Sequence, residues 1–135
     1  MLTLTPLWQA ATVVLAGFLV LVGVAHFAVP GYFSTLVPPW PWLPGARPLV
    51  LVSGGVEVIL GIGLFVDAAR PLAAWGVVVL MSVYVATHLD ALLRASRDAP
   101  RWLDRPAGAS ARVVVNLAYL GWALGVAIWA SGPGG

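Results

Sequence analysis

Four long apolar runs decide what this chain can fold into. They span residues 8–29, 49–66, 72–93 and 111–130, and each is close to the ~20 residues that a helix needs to cross a bilayer. Backbone polar groups must be satisfied inside lipid, and four segments cannot close a barrel, so we predict helices. The mean hydropathy of +0.96 is that of an integral membrane protein. We therefore predict an all-α fold, an up-down four-helix bundle, with residues 1–135 forming a single transmembrane domain.

The charged residues predict the orientation of the bundle. The chain contains no lysine, and most of its arginines are assigned to one side: Arg47, then Arg94, Arg97, Arg101 and Arg105 between the third and fourth runs, and Arg112, which is counted with this connection although it stands at the first turn of the fourth run. Only Arg70 lies on the opposite side. The positive-inside rule then places loops 30–48 and 94–110 in the cytoplasm and both termini outside. No basic residue precedes the first run, which is too long for a signal-peptide core, so we expect it to be retained as a helix.

Composition also restricts the chemistry and the partners. The absence of cysteine removes disulfides, thiolate metal sites and thiol redox reactions in this chain. The net charge of +2 comes from the arginines that set topology, so the lipid bilayer is an expected partner and nucleic acid is not. No nucleophile–base pair, metal motif or phosphate-binding loop is recognisable, which favours a non-catalytic protein.

Glu57 is the only glutamate of the chain, and it lies inside the second apolar run. A charged side chain at the centre of a membrane helix costs roughly 2.5–3.5 kcal/mol on insertion scales. Acidic residues at this depth therefore face the bundle interior and have a partner or a function. A site at Glu57 would be formed by the polar residues that can reach its side chain.

An up-down topology brings several polar residues to the same half of the membrane as Glu57. Helices one and three end at the membrane face where helices two and four begin. The last turns of helices one and three therefore lie at a similar depth to the first turns of helices two and four. Helical phase adds a tyrosine to the face of the third helix. The predicted ligand-binding residues are His26, Ser53, Glu57, Tyr84, His88 and Asn116. Asp90 points away from this face, and we expect it to pair with Arg94 four residues later.

Each of these features also has a plain structural interpretation. Glu57 could serve only to hold helices together, and Asn116 could serve only to form a hydrogen bond between helices. Haem or metal binding would use His26 and His88, but the sequence does not place their helices side by side, and we expect neither cofactor. The proline-rich connection 30–48 could cover the polar cluster or simply anchor the chain at the headgroups.

A small-xxx-small pattern occurs in the fourth run. Its glycines are Gly121 and Gly125, and they lie on a different side of the helix from Asn116. Such a pair allows close helix packing, either within the bundle or in a homo-oligomer.

The first two-thirds of the chain, approximately, resemble a known family. The series Gly-Val-Ala-His-Phe at 23–27, Val-Pro at 37–38, Leu-Pro at 43–44 and Ser-Gly-Gly-Val-Glu at 53–57 is similar to the small DoxX-like membrane proteins. The resemblance implies a four-helix protein of the bacterial plasma membrane, with some members associated with quinone-linked oxidoreductases or oxidative-stress complexes. His26, Ser53 and Glu57 match the family pattern directly. Late in the third helix, where the family has Pro-Ala-Asn, this chain has Ala-Thr-His, ending at His88.

Three functions are compatible with these patterns. The leading hypothesis is a non-catalytic accessory subunit of a membrane redox or oxidative-stress system, with a membrane or peripheral redox protein as partner and a quinone-like ligand in the polar pocket. A second is a small proton-coupled transporter in which Glu57 alternates between protonated and ionised forms. A third is a structural interaction protein whose polar cluster only fixes helix register.

Overall fold

The computed structural model describes residues 5–133 and 135, and this part of the chain is helical without strands. A 3-10 turn, Trp102–Asp104, lies between the last two helices. The helices are α1 (Thr5–Ala28), α2 (Pro30–Ser34), α3 (Ala46–Phe65), α4 (Arg70–Leu93) and α5 (Pro106–Ala130).

All helices except the short α2 are long and apolar enough to cross a membrane. The shortest of them, α3, has 20 residues and is therefore about 30 Å long, which equals the thickness of the hydrocarbon core. The chain is thus an all-α, multi-pass membrane protein built as a four-helix bundle, as the apolar runs predict.

Two tightly packed helix pairs make up the bundle. α1 packs most extensively on α3 and α4 on α5, whereas α1 and α4 stand diagonally opposite. The first pair is close because small residues face each other: a Cβ added to Gly23 would lie 2.7 Å from the carbonyl oxygen of Gly54, and one on Gly61 would lie 2.9 Å from that of Ala16. Such contacts between backbones are how membrane helices associate without a hydrophobic driving force.

The second pair, α4 and α5, packs through alanine and valine. Ala74 and Val77 of α4 are fully buried against Ala123, Val126 and Ala127 of α5 in the main core of the bundle.

The last helix begins earlier than the sequence predicts. α5 starts at Pro106, not at residue 111, because proline in the first turn has a φ suited to a helix and lacks only an N–H that would be unbonded anyway. Arg112 was therefore wrongly assigned to the preceding loop; it lies in α5 and is 9% exposed. The connection 30–48 likewise contains the short helix α2, which begins at Pro30 for the same reason.

Candidate functional site

A cavity of about 340 Å³ lies between the long helices, in the half of the bundle where α1 and α4 end. Most of its wall is apolar, and α1, α3, α4, α5 and the connection after α1 all contribute to it. Every residue predicted for the site lines this cavity: His26, Ser53, Glu57, Tyr84, His88 and Asn116. The depth and phase arguments thus identify the wall of one contiguous space.

Glu57 is the central polar group of the cavity. Its side chain is almost completely buried, and the hydroxyl of Tyr84 donates a hydrogen bond of 2.7 Å to its Oε1 atom. The other oxygen, Oε2, lies 3.3 Å from Nδ1 of His26 but has no hydrogen-bond partner among the described residues. A buried polar atom without a partner costs about 1–3 kcal/mol, so Oε2 is the atom of this site that remains to be satisfied.

The orientation of His26 explains why it does not satisfy Glu57. Its Nδ1 atom lies 2.8 Å from the carbonyl oxygen of Val22, which can only accept, so Nδ1 carries the hydrogen and donates it there. In the neutral ring Nε2 is then an acceptor. The ring is held by stacking on Phe33, with centroids 3.8 Å apart. The Gly23–Gly54 contact between the two backbones brings this imidazole next to Glu57.

Ser53 and Asn116 line the cavity, and each donates one hydrogen bond within its own helix. The hydroxyl of Ser53 donates to the carbonyl oxygen of Val50 at 3.0 Å. The amide of Asn116 donates to the carbonyl oxygen of Arg112 at 2.8 Å. Ser53 therefore keeps only an acceptor oxygen, whereas Asn116 keeps an acceptor oxygen and one further N–H donor.

His88 belongs to a second polar group, centred on Arg112. Nε of Arg112 donates to Nδ1 of His88 at 3.1 Å, and its Nη1 lies 3.5 Å from Asp104 and 3.4 Å from the carbonyl oxygen of Leu103. This group connects the cavity wall to the α4–α5 connection. Sequence reasoning missed Arg112 as a site residue because it was counted with the basic residues of the connection, although Pro106 is a recognisable first-turn signal that places it well inside the helix.

The two histidines are on diagonal helices, α1 and α4, and each is engaged at Nδ1 by a different group. Residues 5–133 and 135 contain no cluster of three or more histidine, cysteine or acidic side chains of the kind that holds a metal ion.

The connection between α2 and α3 covers the cavity at the membrane surface. Val37, Pro38, Trp40 and Leu43 all contribute apolar side chains to the wall. The guanidinium of Arg101, from the other connection on this face, donates to the carbonyl oxygen of Thr35 at 3.1 Å. The cluster is thus covered from its own side of the membrane by this segment, which we call the roof (residues 35–45).

The Asp90–Arg94 pair and the two glycines of α5 lie outside the cavity wall. Asp90 forms the expected ion pair with Arg94. Of the two glycines in α5, Gly125 packs within the bundle, since an added Cβ would lie 2.8 Å from the ring of Trp8. Gly121 has no such neighbour within 4 Å. The two glycines therefore face different environments and do not form one open surface.

Fold and cavity together define a multi-pass membrane protein with a polar group buried in an otherwise apolar intramembrane pocket. The chain belongs to the family described as domain of unknown function DUF8561, whose model matches residues 15–127. The matched range contains all the cavity residues named above. The comparisons with curated proteins and with solved structures found no match.

Proposed function

We propose that this protein binds a small apolar molecule with a polar ring, such as a quinone, in the cavity around Glu57. In this proposal it acts as a non-catalytic accessory subunit of a membrane redox or oxidative-stress system. The proposal includes the resemblance to DoxX-like proteins, and it places this protein in a bacterial plasma membrane because that resemblance implies it.

The observation that carries the proposal is the unpartnered Oε2 atom of Glu57, a residue that belongs to the wall of a mostly apolar cavity. A volume of about 340 Å³ falls at the lower end of the ~300–1,000 Å³ that small-molecule pockets occupy. Such pockets are mostly apolar with a few convergent polar groups that orient the ligand, and this cavity has that composition.

The polar groups suit a ligand that carries carbonyl or hydroxyl oxygens. A protonated Glu57 would donate from Oε2 to a ring carbonyl, and an ionised one would accept from a ring hydroxyl. Tyr84 fixes the other carboxyl oxygen and so orients the group. His26 offers Nε2 as a further acceptor beside it. Binding of both the carbonyl and the hydroxyl form is what a carrier of such molecules requires.

A redox partner would reach the protein at the face that carries the roof and the arginines of the α4–α5 connection. We propose that this face is cytoplasmic and that both termini are outside, following the positive-inside rule. Homo-oligomer formation stays a further proposal, for which Gly121 supplies the open glycine position.

The first test is native mass spectrometry of the protein extracted from its own membrane, alongside the Glu57→Gln variant. Glutamine keeps an acceptor for Tyr84 but removes the ionisable oxygen. We expect a quinone-sized adduct on the wild-type chain, and its loss in the variant. A co-purifying subunit would identify the partner. Asp67→Asn, a carboxyl change in the turn at the opposite end of the bundle, is the matched control and should keep the adduct.

The second test measures affinity with a defined probe. A dimethoxy-methyl-benzoquinone with a decyl tail is titrated into the protein in nanodiscs, and quenching of tryptophan fluorescence reports binding because Trp40 lines the cavity. Loss of one charged hydrogen bond predicts about tenfold to hundredfold weaker binding by Glu57→Gln. Equal affinity of wild type and variant would contradict the proposal, and pH-dependent ion flux in liposomes would then favour a transporter.

A further inference from the structure

The gap between α3 and α4 is closed at one end of the bundle. A Cβ added to Gly63 would lie 2.9 Å from Cβ of Ala73, and one on Gly76 would lie 2.7 Å from Cδ2 of Leu60. These glycines therefore bring the two helices into direct contact on the side of the cavity that lies away from the roof. Toward the cavity the helices face each other across open space, bridged by the hydrogen bond from Tyr84 to Glu57.

Val83 lies where this gap meets the outer surface of the bundle. It lines the cavity and is 52% exposed, and no other described residue of the cavity wall is classed as exposed. Val83 is ten residues before Leu93, the end of α4, which places it about 15 Å from that end along the helix axis. At this depth a side opening meets lipid tails and not water.

The other sides of the cavity are covered. Between α1 and α5 the rings of Phe18 and Tyr119 pack with centroids 4.8 Å apart, and both line the cavity. At the membrane surface the roof covers it with apolar side chains and is tied to the neighbouring connection through Arg101. Val83 is thus the described residue of the cavity wall that is also exposed on the outside of the bundle, and an opening beside it would lead directly into the bilayer.

We propose that this opening is a lateral portal and that the ligand is a tailed lipid, with its polar ring at Glu57 and its hydrocarbon tail passing Val83 into the bilayer. The inference rests on the proposed function and narrows its ligand class. A cavity of about 340 Å³ suits a ring-sized group, so a long tail would have to continue outside it. A tail that stays in lipid remains in apolar surroundings, so binding the ring costs no free energy for transferring the tail.

The test compares two probes that differ only in the tail: a dimethoxy-methyl-benzoquinone with a decyl tail, and the same ring without one. Val83→Trp fills the portal. The matched control is Val79→Trp, one turn earlier on α4, at a position that is 65% exposed and does not line the cavity. Binding is measured in nanodiscs by tryptophan quenching, and a melting temperature for each variant reports folding.

We expect Val83→Trp to weaken binding of the tailed probe about tenfold, by the steric cost of forcing the tail past the indole, and to change binding of the tailless ring less than twofold. Val79→Trp should change neither. Equal effects of Val83→Trp on both probes in a protein of normal melting temperature, or no effect on either, would overturn the portal while leaving the ring site intact. If Val83→Trp does not fold, Val83→Phe replaces it with the same expected selectivity. Failure of the wild type to bind either probe would instead contradict the proposed function, and the portal with it.

Discussion

The contact between Gly54 and α1 gives the sharpest prediction about how the site is assembled. In Gly54→Ala the new Cβ would lie 2.5 Å from Cβ of His26 and 2.8 Å from the carbonyl oxygen of Gly23. Ordinary contacts begin at 3.4 Å, so α1 and α3 must separate by about 0.9 Å, the difference of 3.4 and 2.5. Neither of the two atoms met is the end of a flexible side chain, and the strain cannot be relieved locally.

The magnitude follows from two opposing terms. Alanine is favoured over glycine inside a helix by up to about 1 kcal/mol, and overpacking costs about 1–3 kcal/mol. Gly55→Ala is the matched control, because the nearest atom to its added Cβ is Cζ of Phe27, at 3.9 Å. Gly55→Ala should be neutral or slightly stabilising, and Gly54→Ala should be less stable than it by about 1–3 kcal/mol.

Unfolding in mixed micelles, followed by circular dichroism, measures this difference in the free energy of unfolding. The same variants are titrated with the decyl-tailed benzoquinone, because displacing His26 from Glu57 should weaken ligand binding in Gly54→Ala and leave it unchanged in Gly55→Ala. Equal stability and equal affinity of the two variants would refute the argument that close backbone contact between α1 and α3 builds the site.

Two further predictions concern α5. Arg112→Met removes the donor to His88 from a buried position, and we expect a loss of about 1–3 kcal/mol in the free energy of unfolding measured in mixed micelles; a variant as stable as wild type would show that this polar group contributes nothing. Gly125→Ile should destabilise the bundle by about 1–3 kcal/mol because the new side chain meets Trp8. Gly121→Ile should leave the melting temperature of the monomer unchanged, because no atom lies within 4 Å of an added Cβ. A shift of Gly121→Ile from oligomer to monomer in light scattering would instead reveal a glycine-mediated interface.

Much of the site could be predicted because depth and helical phase are periodic properties of the sequence. The up-down order fixes which helix ends share a membrane face, and the 3.6-residue repeat fixes which side chains share a helix face. These two rules were enough to gather His26, Glu57 and Tyr84 around one space. They also separated Asp90, which pairs with Arg94 as expected.

The remaining geometry depends on which helices are neighbours, and periodicity does not determine that. α1 packs tightly on α3 because Gly23 and Gly54 remove the side chains between two backbones, and this pairing decides that His26 meets Glu57. His88, at nearly the same depth as His26, is held by Arg112 of the neighbouring α5. Arg112 itself was missed because an arginine near a predicted helix end resembles a topology signal.

The two oxygens of Glu57 distinguish a structural role from a binding one. A carboxyl group that served only to lock α3 to α4 would need the hydrogen bond from Tyr84 to Oε1. In such a lock we would expect Oε2 to have a hydrogen-bond partner from a neighbouring helix as well. Instead Oε2 has no partner among the described residues, and Glu57 belongs to the wall of a cavity that residues of the roof, Phe18 and Tyr119 also line. Leaving a buried oxygen unsatisfied costs about 1–3 kcal/mol, which the lock itself does not require. A ligand oxygen within hydrogen-bond distance of Oε2 would remove the cost, and this difference is the reason for proposing a binding site and not a helix lock.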